Sequence, residues 1–245
     1  MAGAGVRRRE PLGPWYRLAV TILKPPSVLL TRRTWEGTEH VPSSGGVIVA
    51  INHTSLFDPI VVSDFLVFGA RLAPRFMAKR SMFEGRGLVA HVMRGAGQIP
   101  VERGTADASG ALDAAVAALR DGRCVAVYPE GTTTRDPDLW PMRARTGVAR
   151  LALRSGAPVL PLTQWGAHRV HRRGRRRVHL FPRVPVHVRL GPPVDLADLV
   201  GRPLDAATLT AATERVMADL TAQLEDMRGE PRPSRVHEPG LAPPA

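Results

Sequence analysis

A histidine and an aspartate stand five residues apart in the stretch Asn52-His53-Thr54-Ser55-Leu56-Phe57-Asp58. An imidazole can take a proton from a hydroxyl with one ring nitrogen. A carboxylate can accept the N–H of the other, which fixes the tautomer and stabilises the imidazolium that forms. The pair therefore has the residue types of a general base and its orienting partner. The same residues have a plainer reading. Asp58 precedes Pro59, and Asp at a helix N-cap with Pro at the first helical position is a good helix start. His53 is then an ordinary turn residue.

The elements that must position the pair lie on either side of it. Residues 46–51 form a short apolar run that reads as a buried strand, and residues 60–68 a second run that reads as a short helix. Further strands are predicted over 75–78, 124–128 and 157–162. Residues 184–190 alternate apolar and polar, as a half-exposed strand does. Helices are predicted over 87–93, 105–120 with Gly122 past its end, 146–155 ended by Gly156, and 205–228 with Leu209, Val216, Leu220, Leu224 and Met227 on one side. Strands alternating with helices on short loops imply an α/β domain with a mixed, mostly parallel central sheet flanked by helices.

The ends of the chain read differently. Residues 1–33 form a basic arm followed by two short apolar segments, one with Trp15, Tyr16, Leu18, Val20, Ile22 and Leu23, the other Val28-Leu29-Leu30, separated by Lys24-Pro25-Pro26. That composition suits a helical hairpin in a membrane interface; a helix packed on the domain's own core is the alternative. Residues 34–228 make up the α/β domain, and residues 229–245 a Pro-rich tail expected to be disordered. There are no internal repeats.

Composition bounds the partners. With 34 basic against 22 acidic residues the net charge is +12, and only Lys24 and Lys79 among the basic residues are lysines. Such a surface favours anionic partners: nucleic acid, anionic lipid or phosphorylated substrates. The single cysteine, Cys124, excludes an internal disulfide and sits mid-strand as a small hydrophobe. No run of about 18 apolar residues predicts an ordinary membrane-spanning helix. Six arginines between His168 and His179, at 169, 172, 173, 175, 176 and 177, read either as a solvated hairpin tip or as a patch for lipid headgroups or a nucleotide-bearing cofactor. A metal site from His168, His171 and His179 is disfavoured by the surrounding positive charge.

Three further stretches follow the His/Asp turn in order: Gly97 to Arg103, Tyr128-Pro129-Glu130-Gly131-Thr132, and Val159-Leu160-Pro161. With them the chain resembles the glycerolipid acyltransferase family, of which the 1-acylglycerol-3-phosphate acyltransferases are the best-known branch. The resemblance covers roughly residues 34–195. It implies His53 as general base on an acceptor hydroxyl, with Asp58 orienting it. The hydroxyl attacks an acyl thioester directly, so no enzyme nucleophile is needed, in keeping with the absence of a Gly-x-Ser-x-Gly elbow. Arg103 is implied as a clamp for the acceptor's phosphate. Glu130, Gly131 and Thr132 would shape the acceptor site, and Lys79 lies where members often carry a lysine. Three departures bear on the acceptor rather than on the chemistry. Thr133 stands where many members have Arg, Glu102 where they have Asp, and Tyr128 where Phe is frequent.

The expectation is a phospholipid-synthesising acyltransferase with no metal and no cofactor, using acyl-coenzyme A or acyl carrier protein as the source of its acyl co-substrate. Its acceptor would be a lysophospholipid, taken up at the cytoplasmic face of the plasma membrane by a peripherally bound protein. The competing reading is a non-catalytic basic protein holding anionic lipid or nucleic acid. The arginine run lacks the interleaved aromatics that stack on bases, and no nucleic-acid motif is present.

Overall fold

The computed structural model describes residues 10–102, 107–171 and 178–238. Among the described residues, seven strands form one sheet. They are β1 (Thr31–Glu36), β2 (Val47–Ile51), β3 (Pro74–Lys79), β4 (Ile99–Val101), β5 (Cys124–Val127), β6 (Val159–Trp165) and β7 (Val184–Leu190). Their order across the sheet is β1-β7-β6-β2-β5-β3-β4, and every neighbouring pair is parallel except β6–β7. The mixed, mostly parallel sheet is the one expected.

Helices cover both faces, which is why the central strands are continuous apolar runs rather than alternating ones. All five residues of β2 are buried. Val47, Val49 and Ile51 face a core shared with α2 (Asp58–Asp64). Ile48 and Ala50 face the opposite core under α4 (Asp107–Arg120), α5 (Gly147–Ser155) and α7 (Ala206–Arg228). One strand in from the sheet edge, β7 alternates buried with exposed or half-buried positions, as its pattern predicts. Asp205 caps α7 by accepting Thr208 N–H at 2.8 Å. Cys124 is buried.

The N-terminal segment departs from the hairpin reading and takes the form of the alternative, a helix packed on the domain. Residues expected to form a hairpin broken at Pro25-Pro26 form one helix, α1 (Pro14–Leu30), with both prolines inside it. Proline removes the N–H donors that Thr21 and Ile22 carbonyls would use. Tertiary contacts outweigh that loss. Tyr16 donates its hydroxyl to Pro74 O at 3.2 Å, and Ser27 Oγ donates to buried Asp64 Oδ2 at 2.7 Å. The Trp15 ring packs against Gly95 of α3 (Leu88–Gly95) so closely that a Cβ there would fall 2.2 Å from it. Trp15, Leu18, Ile22 and Leu29 nevertheless remain exposed along α1. The helix leads directly into β1, which the sequence reading did not find.

Residues 230–238 have no regular structure, yet Arg143 N–H donates to His237 O at 3.0 Å and the Arg143 guanidinium meets Glu238 Oε1 at 2.9 Å. Among the described residues no helix is long and apolar enough to cross a membrane.

Candidate active site

The His/Asp turn leaves the carboxyl end of β2 and returns through α2. In a parallel sheet this edge is where loops gather and ligands bind. Asp58 is fully buried and organises the turn. Its Oδ2 accepts three N–H groups: Thr54 N–H at 2.6 Å, Ser55 N–H at 2.8 Å and His53 Nδ1–H at 2.9 Å. Asp58 starts α2, but its carboxylate does not cap the helix. A helical side chain leans toward the N-terminus, so this one reaches back into the preceding turn. The capping reading of Asp58 is replaced by the pairing with His53. Burial pushes the Asp58 carboxyl up, while the His53 bond and the two backbone donors hold it down. With Nδ1–H committed to Asp58, His53 presents Nε2, which has no hydrogen-bond partner among the described residues.

The turn is clamped from β6. Asn52 Nδ2 donates to Gln164 O at 3.0 Å, Gln164 N–H donates back to Asn52 Oδ1 at 2.9 Å, and Gln164 Nε2 donates to Thr54 Oγ1 at 2.8 Å. Ser55 Oγ donates to His171 O at 2.6 Å, beyond the short helix α6 (Ala167–Val170). Asn52 lies inside the motif, but its partner is 112 residues away. No local spacing could have identified Gln164.

The loop after β5 supplies the opposite wall. Parallel register sets Ala50 of β2 against Val127 of β5, so His53 and Glu130 each lie three residues past that pair. Glu130 Oε1 accepts His53 N–H at 3.2 Å and Oε2 accepts Met142 N–H at 2.9 Å. Both carboxyl oxygens thus brace backbone. Burial pushes Glu130 up to about 8 against those two donors. Gly131 closes the turn onto Tyr128 O at a φ of 74°, a left-handed conformation that favours glycine. Thr132 follows, half-buried, and Thr134 N–H donates to His53 O at 2.6 Å. The Tyr128 ring stacks on the His53 ring, with centroids 4.1 Å apart and planes 25° apart. Farther out, the Arg228 guanidinium lies over both Trp140 at 4.2 Å and Trp165 at 4.5 Å, joining the end of α7 to this loop and to β6.

The remaining sequence-predicted residues are less central. Lys79 ends β3 at the same sheet edge, exposed, and makes no hydrogen bond to the turn among the described residues. Arg103 lies outside the described residues. Among the described residues no cluster of three His, Cys, Asp or Glu side chains could hold a metal ion.

The site is thus a histidine held by a buried carboxylate at the carboxyl edge of an α/β sheet. The acyltransferase family model matches residues 32–165, more than half of the chain, and takes in the turn, the Glu130 loop and β6. The chain belongs to the acyltransferase family. It is 27% identical over 133 residues to a 1-acyl-sn-glycerol-3-phosphate acyltransferase of Borreliella burgdorferi, covering 54% of this chain and 50% of that one. It is 38% identical over 72 residues to a protein of the same description from Limnanthes douglasii, covering 29% of this chain and 24% of that one. The chain therefore spans half or less of the length of these curated relatives. In fold it is similar to the 1-acyl-sn-glycerophosphate (LPA) acyltransferase PlsC from Thermotoga maritima, with a TM-score of 0.66 and 22% identity over 89% of this chain and 81% of that one.

Proposed function

We propose that the protein transfers a fatty acyl group from an acyl thioester, acyl-coenzyme A or acyl carrier protein, to the free hydroxyl of a lysophospholipid. The acceptor is 1-acylglycerol-3-phosphate and the product phosphatidic acid. The observation that carries the reading is the His53 Nδ1–H bond to buried Asp58 at 2.9 Å, within a chain of this family. His53 Nε2 removes the proton of the acceptor hydroxyl as its oxygen attacks the thioester carbonyl carbon. The imidazolium is stabilised by Asp58. As the carbon–sulfur bond breaks, the proton passes to the departing thiolate. Glu130 and Gly131 act by fixing the backbone around His53, Thr132 borders the acceptor site, and Arg103 and Lys79 supply positive charge for the acceptor's phosphate.

The acceptor reaches the site from a membrane surface. The exposed Trp15, Leu18, Ile22 and Leu29 of α1 give the protein a peripheral apolar face, which the net charge of +12 would draw to anionic lipid at the cytoplasmic side of the plasma membrane.

The test is thiol release from long-chain acyl-coenzyme A in the presence of detergent-dispersed lysophosphatidic acid, wild type against His53→Ala. Acceptor-dependent release is expected from the wild type and is reduced about 10²–10⁴-fold in the variant, the usual contribution of a general base. Equal turnover by a folded variant removes His53 from the mechanism. Absence of release by the wild type with both acyl-coenzyme A and acyl carrier protein donors, across several lysolipids, overturns the reading.

A further inference from the structure

Tyr128 combines two features that sit poorly together in a purely structural residue. Its ring is placed for packing, against His53 at 4.1 Å and against Phe76 at 6.2 Å with planes only 16° apart. A phenylalanine would fill that stack equally well. Yet the residue carries a hydroxyl that is buried and has no hydrogen-bond partner among the described residues. Leaving a buried polar group unsatisfied is unfavourable, and natural cores rarely do so without a reason. The surroundings keep this hydroxyl protonated, since burial and then the Asp58 charge raise the phenol well above its ordinary value. It is therefore a neutral O–H donor, held rigidly beside the imidazole and not consumed by the protein.

Resting on the acyl-transfer reading above, we propose that Tyr128 is a substrate-binding donor of this site. Its O–H donates to an oxygen of the substrate bound against the His53 ring. Two substrate oxygens have that chemistry: the thioester carbonyl of the acyl donor and a backbone oxygen of the lysophospholipid acceptor. The hydrogen bond is formed only with substrate present, which accounts for the unsatisfied group in the free protein. A site built around such a donor discriminates strongly against ligands that leave it unpaired.

Tyr128→Phe tests this because it removes one oxygen and keeps the stack. The expected result is a melting temperature equal to or above that of the wild type, with kcat/KM lowered about 10- to 100-fold. A loss expressed in the acyl-donor KM or in kcat assigns the thioester carbonyl, and a loss expressed in the acceptor KM assigns the lysolipid. Tyr16 and Tyr128 are the only tyrosines. Protein carrying ¹³Cζ-tyrosine therefore gives two resonances, and the variant identifies that of Tyr128. That resonance is expected to move on addition of either long-chain acyl-coenzyme A or lysophosphatidic acid, each alone, while that of Tyr16 stays. Full kcat/KM in the variant, a lowered melting temperature accounting for the lost activity, or no movement with either ligand overturns the proposal. A wild type without turnover is a failure of the acyl-transfer reading, and the resonance shift still decides whether Tyr128 meets a ligand.

Discussion

Helix α2 carries a buried aspartate at each end, and the two are used in opposite ways. Asp58 at the start pairs with His53. Asp64 at the finish pairs with Arg33 of β1 at 2.6 Å and accepts Ser27 Oγ of α1 at 2.7 Å. Both carboxylates are nearly inaccessible. What separates them is the partner. A guanidinium keeps its charge at every accessible pH, so the Asp64 pair can only hold α1, β1 and α2 together. An imidazole can gain and lose a proton near neutrality, so the Asp58 pair can take part in a reaction. One side-chain type in one helix is confined to bracing at one end and, under the proposed function, freed for chemistry at the other, according to whether its partner's charge can change.

Substitutions should separate the two ends. The largest effect belongs to Asp58→Asn, where an amide can no longer fix the histidine tautomer. Turnover is expected to fall about 10³–10⁴-fold by analogy with other carboxylate–histidine pairs. Circular dichroism must show the variant folded, and turnover within a few fold of wild type would break the contrast. Asp64→Asn should do the reverse. It is expected to destabilise the fold by about 2 kcal/mol, less than a fully buried pair because Arg33 is partly exposed. Activity per folded molecule should be retained, which urea titration with parallel assays can check.

A third buried carboxyl sharpens the comparison, since Glu130 has no cationic partner in its bonds. Its folded value of about 8 lies above the ordinary carboxylate value of 4.5. The folded state therefore holds a proton that the unfolded chain has released. The associated stability is complete below about pH 4.5 and is lost as pH rises toward 8. Glu130→Gln, which cannot titrate, should show a shallower fall in melting temperature between pH 5 and 8 than the wild type. At low pH it should be less stable by about 1 kcal/mol, having exchanged one backbone-accepting oxygen for an amide. Identical pH profiles would mean that Glu130 is already ionised in the folded protein. The smallest effect is expected far from the site. Ile22→Ser with Leu29→Ser, both on the exposed side of α1, should weaken sedimentation with anionic vesicles about tenfold without changing the melting temperature. Unchanged vesicle binding would deny α1 a membrane role.

How much of this was legible in the sequence depended on the range of the interactions involved. The central strands announced themselves because a strand buried on both faces must be apolar throughout. The His53–Asp58 pairing was legible because both members lie in one turn. β1 was missed because Thr31-Arg32-Arg33-Thr34-Trp35-Glu36 is an edge strand with three exposed positions, and its partner β7 lies about 150 residues on. The hairpin reading of residues 12–31 failed because Pro25-Pro26 is a strong local stop signal, outweighed here by packing on α2, α3 and Pro74. Tyr128 ended the strand predicted over 124–128, and Gln164 lay just past the strand predicted over 157–162, which the structure extends to Trp165. Their relation to His53 exists only once β2, β5 and β6 lie side by side.

The placement of Arg228 has an optical consequence. Two of the four tryptophans, Trp140 and Trp165, share this one cation. Trp140 lies two residues before Met142, whose N–H binds Glu130, and Trp165 follows Gln164, which clamps Asn52. Any loosening of either wall around His53 changes the distance between an indole and the guanidinium. The intrinsic emission of the protein is therefore expected to report movement of the two segments that hold the turn.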